Sequence, residues 1–266
     1  MDKVVTSPAE AVIGIINGSS LAVGGFGLCG VPSVLIEELH RNGVTDLEAF
    51  SNNCGMDDWG LGILLKSRQL RRVVASYLGG NKEFERQFLR GELEVELTPQ
   101  GTLAEKLRAG GAGIPAFYTA TGVGTQVADG GVPWRYAPDG SIAKASPPKE
   151  TREMDWNGQR LTFVLEHAIT TDFALVRAWK GDRQGNLVFR QSARNTNPLA
   201  AMAGRVTIAE VEHLVEPGEI DADAVHLPGI HVQRVLPLTP EQAADKHIEH
   251  RTVQPASIPS VTSSLQ

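Results

Sequence analysis

Three short loops carry the residues best suited to chemistry: Gly24-Gly25-Phe26-Gly27-Leu28-Cys29-Gly30, Ser51-Asn52-Asn53-Cys54-Gly55 and Thr98-Pro99-Gln100-Gly101. The first holds glycines spaced GxGxxG at Gly25, Gly27 and Gly30, between an expected strand and an expected helix. Such a loop lets backbone N–H groups approach a ligand closely. Dinucleotide sites share the spacing, but they also want an acid at the end of the second strand to bind a ribose hydroxyl. Here that strand runs into Ser51-Asn52-Asn53, and Asp46 and Glu48 lie at its beginning. The same glycines would also serve plain helix–strand packing. Asn52 and Asn53 are neutral amides that could donate hydrogen bonds to a developing oxyanion, or simply form Asx-turns. Gln100 stands just before an expected helix N-terminus, where exposed N–H groups and the helix dipole favour an anion by about 0.3–1 kcal/mol. A purely structural turn is the alternative there.

The elements that would position these loops alternate. Leu21 to Gly24 reads as a first strand, and Pro32 suits the first turn of a helix that Asn42-Gly43 ends. Leu47 to Phe50, Arg72 to Leu78 and Leu93 to Leu97 read as strands two to four. Helices are expected around Leu61–Lys66 and from an Asn81 cap through Leu89. Thr102-Leu103-Ala104-Glu105 has capping-box spacing and predicts a helix ending at Gly110-Gly111. Ile114 to Tyr118 reads as a fifth strand of the same series. The expected class is therefore α/β, with an open, mostly parallel sheet flanked by helices. In such sheets ligands sit beyond the carboxyl ends of the strands, where all three loops fall.

The rhythm breaks after residue 118. Residues 119–160 read as a Gly/Pro-rich excursion or flap, with a type I′ hairpin at Asn157-Gly158. Strands return at Phe173–Trp179 and Val206–Ile208, with a short helix near Leu199–Ala203. Residues 1–240 are expected to form one domain, and 241–266 an extended, weakly packed tail.

Composition narrows the function. The chain has 266 residues and a net charge of −6, and no basic patch stands out, which argues against nucleic-acid binding. The two cysteines, Cys29 and Cys54, lie far apart without a CxxC, as expected for a reducing cytoplasm. The apolar N-terminal stretch is broken by Glu10, Asn17 and Gly18, so no membrane span is expected. There is no GxSxG, P-loop or HExxH motif. His247 and His250 are expected in a solvated tail, with no metal role. Glu94 and Glu96 share one face of strand four and are read as structural.

Residues Asn17-Gly18-Ser19-Ser20-Leu21-Ala22-Val23-Gly24-Gly25-Phe26-Gly27-Leu28-Cys29-Gly30-Val31-Pro32 resemble the signature of CoA-transferase family I. Ser51 to Gly62, Gly91 to Glu105 and Arg194-Asn195-Thr196-Asn197-Pro198 extend the resemblance, which runs from about residue 3 to about residue 235. It implies the A half of a two-chain enzyme passing CoA from succinyl-CoA to a 3-oxo acid such as acetoacetate, with 3-oxoadipate the alternative acceptor. CoA would be a substrate, and no permanently bound cofactor or metal is implied. The nucleophilic glutamate of the family lies in the B half, within a Ser-Glu-Asn-Gly motif that this chain lacks. The resemblance thus implies a B-subunit partner in an A₂B₂ assembly. By motif, Gly24, Gly25, Phe26, Gly27, Leu28, Cys29 and Gly30 would form the CoA-binding loop. Gln100 would support the thioester oxyanion, and Asn52, Asn53, Gln100 and Gly101 would line the substrate pocket. One departure is Gly79-Gly80-Asn81, where the family usually has Gly-Glu-Asn.

Overall fold

The computed structural model describes residues 1–246. The first half alternates α1 (Pro8–Ala11), β1 (Ser20–Val23), α2 (Ser33–Asn42), β2 (Leu47–Phe50), α3 (Leu61–Lys66), β3 (Leu70–Ala75), α4 (Lys82–Leu89), β4 (Glu94–Leu97) and α5 (Gln100–Gly111). Next come β5 (Ala116–Thr119), α6 (Gln126–Asp129), β6 (Pro133–Tyr136), β7 (Ile142–Ala145), β8 (Thr151–Trp156) and β9 (Gln159–His167). The last part holds β10 (Thr171–Asp182), β11 (Leu187–Val188), α7 (Asn197–Ala203), β12 (Gly204–Val215), β13 (Arg234–Pro237) and α8 (Pro240–Ala244).

The central sheet has the order β13-β12-β10-β1-β2-β3-β4, with β11 added antiparallel to β10. Every other pairing along it is parallel. Alternation within each strand feeds two cores. Leu21 and Val23 of β1 join Leu35, Leu39, Leu64, Leu65 and Phe84 beneath α2, α3 and α4. Ala22 faces the other way, into a core with Leu103, Leu107, Ala200 and Ala201 of α5 and α7. Burial on both faces is why these strands are nearly all apolar, and a parallel sheet requires it. The expected α/β class with a mostly parallel sheet is the one observed.

Several local expectations need correction. The fifth strand does not extend the parallel series: β5 pairs antiparallel with β9, in a separate sheet ordered β5-β9-β8. A short apolar run has the same appearance in either kind of sheet, and here Gly110 to Gly113 redirects the chain. The Thr102 capping box does not form. The helix already starts at Gln100 behind Pro99, without a side-chain cap, and Thr102 is buried in its first turn. Strand β3 ends at Ala75, short of the expected Leu78, and α7 begins at Asn197. The turn between β8 and β9 has φ of 50° at Asn157 and 75° at Gly158, as a type I′ turn demands. Residues 240–244 are helical where an extended tail was expected from 241. Thr239 and Gln242 form a reciprocal capping box there, and Arg177 donates to the carbonyls of Gln242 and Ala243. His247 and His250 lie outside the described residues.

Candidate functional site

Two of the three loops meet at the carboxyl ends of β2, β3 and β4. Asn52 follows β2, is 5 % exposed, and turns its Oδ1 toward the next two strands. That oxygen accepts from Ser76 Oγ at 2.8 Å and from Gln100 Nε2 at 2.8 Å. Ser76 N and Oγ also donate to the Asn52 carbonyl. With Oδ1 accepting two bonds, the orientation of the Asn52 amide is set by its neighbours. Gln100, at the first position of α5, is exposed and reaches across β3 to join it. The cluster is neutral and uses only amides and a hydroxyl, which suits it to stabilise charge appearing on a ligand oxygen. Gly101 is also exposed, and a Cβ there would meet nothing within 4 Å. Asn53 is half-buried beside the cluster and makes no side-chain hydrogen bond among the described residues. Ser76 is a member that sequence reasoning missed, since a serine closing a strand carries no distinctive signal.

The glycine-rich loop follows β1, next to β2. Ser51 Oγ donates to the Val23 carbonyl at 2.9 Å and ties the two strand ends together. Phe26 and Cys29 exchange both backbone hydrogen bonds at 3.0 Å, so Gly27 and Leu28 form the tip of a tight turn. Phe26 is 44 % exposed. The loop is held from one side by Asn195, Thr196 and Asn197, a segment that carries part of the family resemblance but had no expected role. Asn197 is fully buried; its Nδ2 donates to the carbonyls of Gly30 and Ala193, and its Oδ1 accepts from Arg177 N. Thr196 Oγ1 donates to the Gly25 carbonyl, and Asn195 Nδ2 to the Cys29 carbonyl. A Cβ at Gly24 would lie 2.0 Å from Asn197 Oδ1, and one at Gly30 2.7 Å from its Nδ2. These two glycines are therefore required by the protein's own packing. Gly27 faces open space and leaves room for a ligand.

Electrostatics separate the site from its surroundings. Glu48 and Glu96 pair with Arg72, and Glu94 lies 3.0 Å from the same guanidinium. Glu96 and Glu166 share Lys106. The acids of strand two's own stretch, Asp46 and Glu48, are thus engaged by Arg71 and Arg72. Beneath the glycine loop, Glu210 is fully buried, and loss of hydration pushes its carboxyl up to about 7 although Arg177 opposes this. Burial likewise pushes the Cys54 thiol up, so it is an inert core group. Among the described residues no cluster of three His, Cys, Asp or Glu side chains could hold a metal. No helix among them is long and apolar enough to cross a membrane.

A parallel α/β sheet with a glycine loop and an amide cluster at its carboxyl edge defines a class. Residues 5–237 match the coenzyme A transferase family model, and the chain belongs to that family. Among its relatives is a Mycobacterium tuberculosis protein, named as the A subunit of a probable succinyl-CoA:3-ketoacid coenzyme A transferase. It is 66% identical over 254 residues, which cover 96% of this chain and 100% of the relative. The Bacillus subtilis protein of the same name is 55% identical, over 97% of this chain and 98% of its own. The rat mitochondrial succinyl-CoA:3-ketoacid coenzyme A transferase 2A is 53% identical over 88% of this chain, which spans only 44% of the rat protein. Of solved structures, the glutaconate coenzyme A-transferase of Acidaminococcus fermentans superposes with a TM-score of 0.73 at 21% identity, covering 92% of this chain and 78% of its own. The acyl-CoA transferase YdiF of Escherichia coli gives 0.72 at 22% identity, over 92% of this chain and 50% of that one, and these two likenesses speak to the fold.

Proposed function

We propose that this chain is the A half of a 3-oxoacid CoA-transferase, moving CoA from succinyl-CoA to a 3-oxo acid such as acetoacetate, with 3-oxoadipate as the alternative acceptor. The observation that carries the reading is the Asn52–Ser76–Gln100 cluster: donors for a thioester oxyanion with no carboxylate among their hydrogen-bond partners. The names of relatives at 66% and 55% identity support it, and those names make each relative a subunit of a transferase.

In this reading the partner chain supplies a glutamate. Its carboxylate attacks the thioester carbonyl and expels CoA thiolate, leaving an acyl-glutamyl anhydride. The thiolate attacks the glutamyl carbonyl, releasing succinate and leaving a glutamyl-CoA thioester. The acceptor carboxylate then repeats both steps in reverse. In each tetrahedral intermediate a carbonyl oxygen becomes an oxyanion, and Gln100, held by Asn52, is the donor nearest solvent. Gly25 to Gly30 would receive the CoA arm, and remote binding along that arm would be used in the transition state. CoA is here a substrate, no resident cofactor is required, and an A₂B₂ assembly in the cytoplasm is the natural setting.

The test is reconstitution. The chain alone is expected to show no transferase activity. Mixed with a B chain carrying the glutamate, it should turn over succinyl-CoA and acetoacetate, and borohydride should trap a CoA thioester on B. Full activity of this chain by itself would overturn the split site.

A further inference from the structure

The glycine loop runs straight into α2, and a helix entered this way commonly offers its N-terminus to an anionic ligand. Here the chain's own carboxylate takes that place. On β12, Ile208 joins the core beneath α2, and Glu210, two residues on, lies on the same face of the strand. Glu210 is fully buried, and its Oε2 accepts from Leu35 N at 3.1 Å, in the first turn of α2. The Val34 N–H acts on the same carboxyl. Pro32 stands at the N-cap and makes no side-chain cap, so Glu210 supplies the acceptor from another strand.

Arg177 joins this cap to the rest of the loop's anchorage. Its guanidinium lies 3.4 Å from Glu210 Oε1 and 3.4 Å from the Oγ of Ser33, the first residue of α2. Its main-chain N–H donates to Asn197 Oδ1, and Asn197 in turn holds the Gly30 carbonyl. The charged groups around Glu210 are Arg177 on β10, Glu37 on α2 and Glu212 on β12, and Glu212 pairs with both Arg177 and Lys246. Burial opposes a negative charge at Glu210, so the anion is kept at a cost to stability. A glutamine would reach the same N–H groups without that cost. What it would not supply is the full charge facing the positive end of the α2 dipole.

We propose that Glu210 is the positioning residue of the glycine loop. As a built-in anion at the start of α2, it fixes the loop's exit, from Gly30 to Ser33, in the geometry that receives a CoA ester. It acts through α2 and touches no substrate. Use of the loop by a CoA ester rests on the transferase reading; the hold of Glu210 on α2 does not.

The test is Glu210→Gln, which keeps the shape and removes the charge, in the chain reconstituted with a B chain. At about pH 8 the variant should raise KM for succinyl-CoA about fivefold, the difference between a charge-assisted and a neutral hydrogen bond. Its kcat and its KM for acetoacetate should stay within about twofold of wild type. As pH falls from about 8 to about 6, the wild-type carboxyl takes up its proton, and the ratio of the two succinyl-CoA KM values should shrink toward unity. Equal KM values at about pH 8, or a ratio that does not move with pH, overturn the proposal. So does a loss shared by kcat and both KM values, the mark of a merely structural residue. Hydrogen exchange at the Val34 and Leu35 amides of the chain alone gives an independent reading. Exchange about fivefold faster in Glu210→Gln is expected, and unchanged exchange overturns the proposal. Glu153→Gln removes a carboxylate from the β8–β9 hairpin and should leave both readings at wild-type values. If the reconstituted wild type shows no turnover, the transferase reading fails by itself, and the exchange result still decides the role of Glu210.

Discussion

The loops after β1 and β2 are built on one frame. Gly25 to Gly30 and Gly55 to Gly60 each place four residues between two glycines, and all four glycines have positive φ, from 62° to 111°. In each, the first and fourth inner residues exchange backbone hydrogen bonds: Phe26 with Cys29, and Met56 with Trp59. Each leads into a helix on the same side of the sheet. What differs is the bracing. The second loop is fastened to its own neighbours by charged and polar side chains. Asp57 accepts from Glu83 N, Asp58 pairs with Lys66, and Asn81 donates to the Cys54 carbonyl. The first is held from one side by three uncharged residues of a distant segment, Asn195 to Asn197, and its tip carries no charge. A neutral, one-sided clamp leaves the other side of the loop free for an anionic substrate, without a carboxylate to repel it.

The largest effects should come from breaking that clamp. Gly24→Ala drives a methyl into Asn197 Oδ1, and the three buried amide bonds of Asn197 cannot all survive the shift. A loss of roughly 3 kcal/mol or more is expected in urea unfolding. Gly27→Ala meets only open space, so the cost is that of φ near 59° for a residue with a Cβ, roughly 1–2 kcal/mol. Equal losses in the two variants would show that the clamp does not set the loop's geometry.

The next effect is on turnover and sharpens the contrast between what holds the site and what acts in it. Gln100→Ala should lower kcat of the reconstituted enzyme by about 10²–10³, the usual loss for one oxyanion donor. Because Gln100 is exposed, its stability should stay within about 0.5 kcal/mol of wild type. Asn52→Ala should lower both kcat and stability, since it leaves Ser76 and Gln100 without their shared acceptor. If Gln100→Ala reduces stability and leaves kcat intact, the amide cluster is structural.

The layers of this fold were legible because burial on both faces writes near-continuous apolar strands, and glycine or asparagine punctuates each helix. Strand β5 was not, since nothing in Ala116 to Thr119 tells a parallel from an antiparallel neighbour. Thr102 to Glu105 carried a true capping pattern, but the helix is capped at Pro99, three residues earlier, so the pattern is never used. Asn52 and Gln100 stood out as amides in loops. Their contact, made across β3 with Ser76 between, depends on sheet order. Asn197 lay in plain view within a recognised segment, yet its task follows only from the packing of α7 against β1 and β10.

The last predicted effect is one of sign, and it again sets the two loops against each other. Beneath the first loop, Glu210 keeps its proton in the folded state up to about pH 7, because burial disfavours its charge. The unfolded chain releases that proton near 4.5. Between those values the folded state binds more protons, so this group's contribution falls as pH rises from 4.5 to 7, and it is level above. Beside the second loop, hydrogen bonds from Arg86 hold Glu83 down to about 2. Its contribution is present above 4.5 and is lost as pH falls toward 2. Urea midpoints measured from about pH 2 to 8 should therefore change in opposite ways in two variants. Glu210→Gln should remove a decline between pH 4.5 and 7 that is at most about 1.4 kcal/mol per pH unit. Glu83→Gln should remove part of the acid-side loss below 4.5 and leave the neutral range unchanged. If Glu210→Gln and wild type run parallel from pH 4.5 to 7, Glu210 is charged beneath the glycine loop throughout, and Arg177 rather than burial governs it.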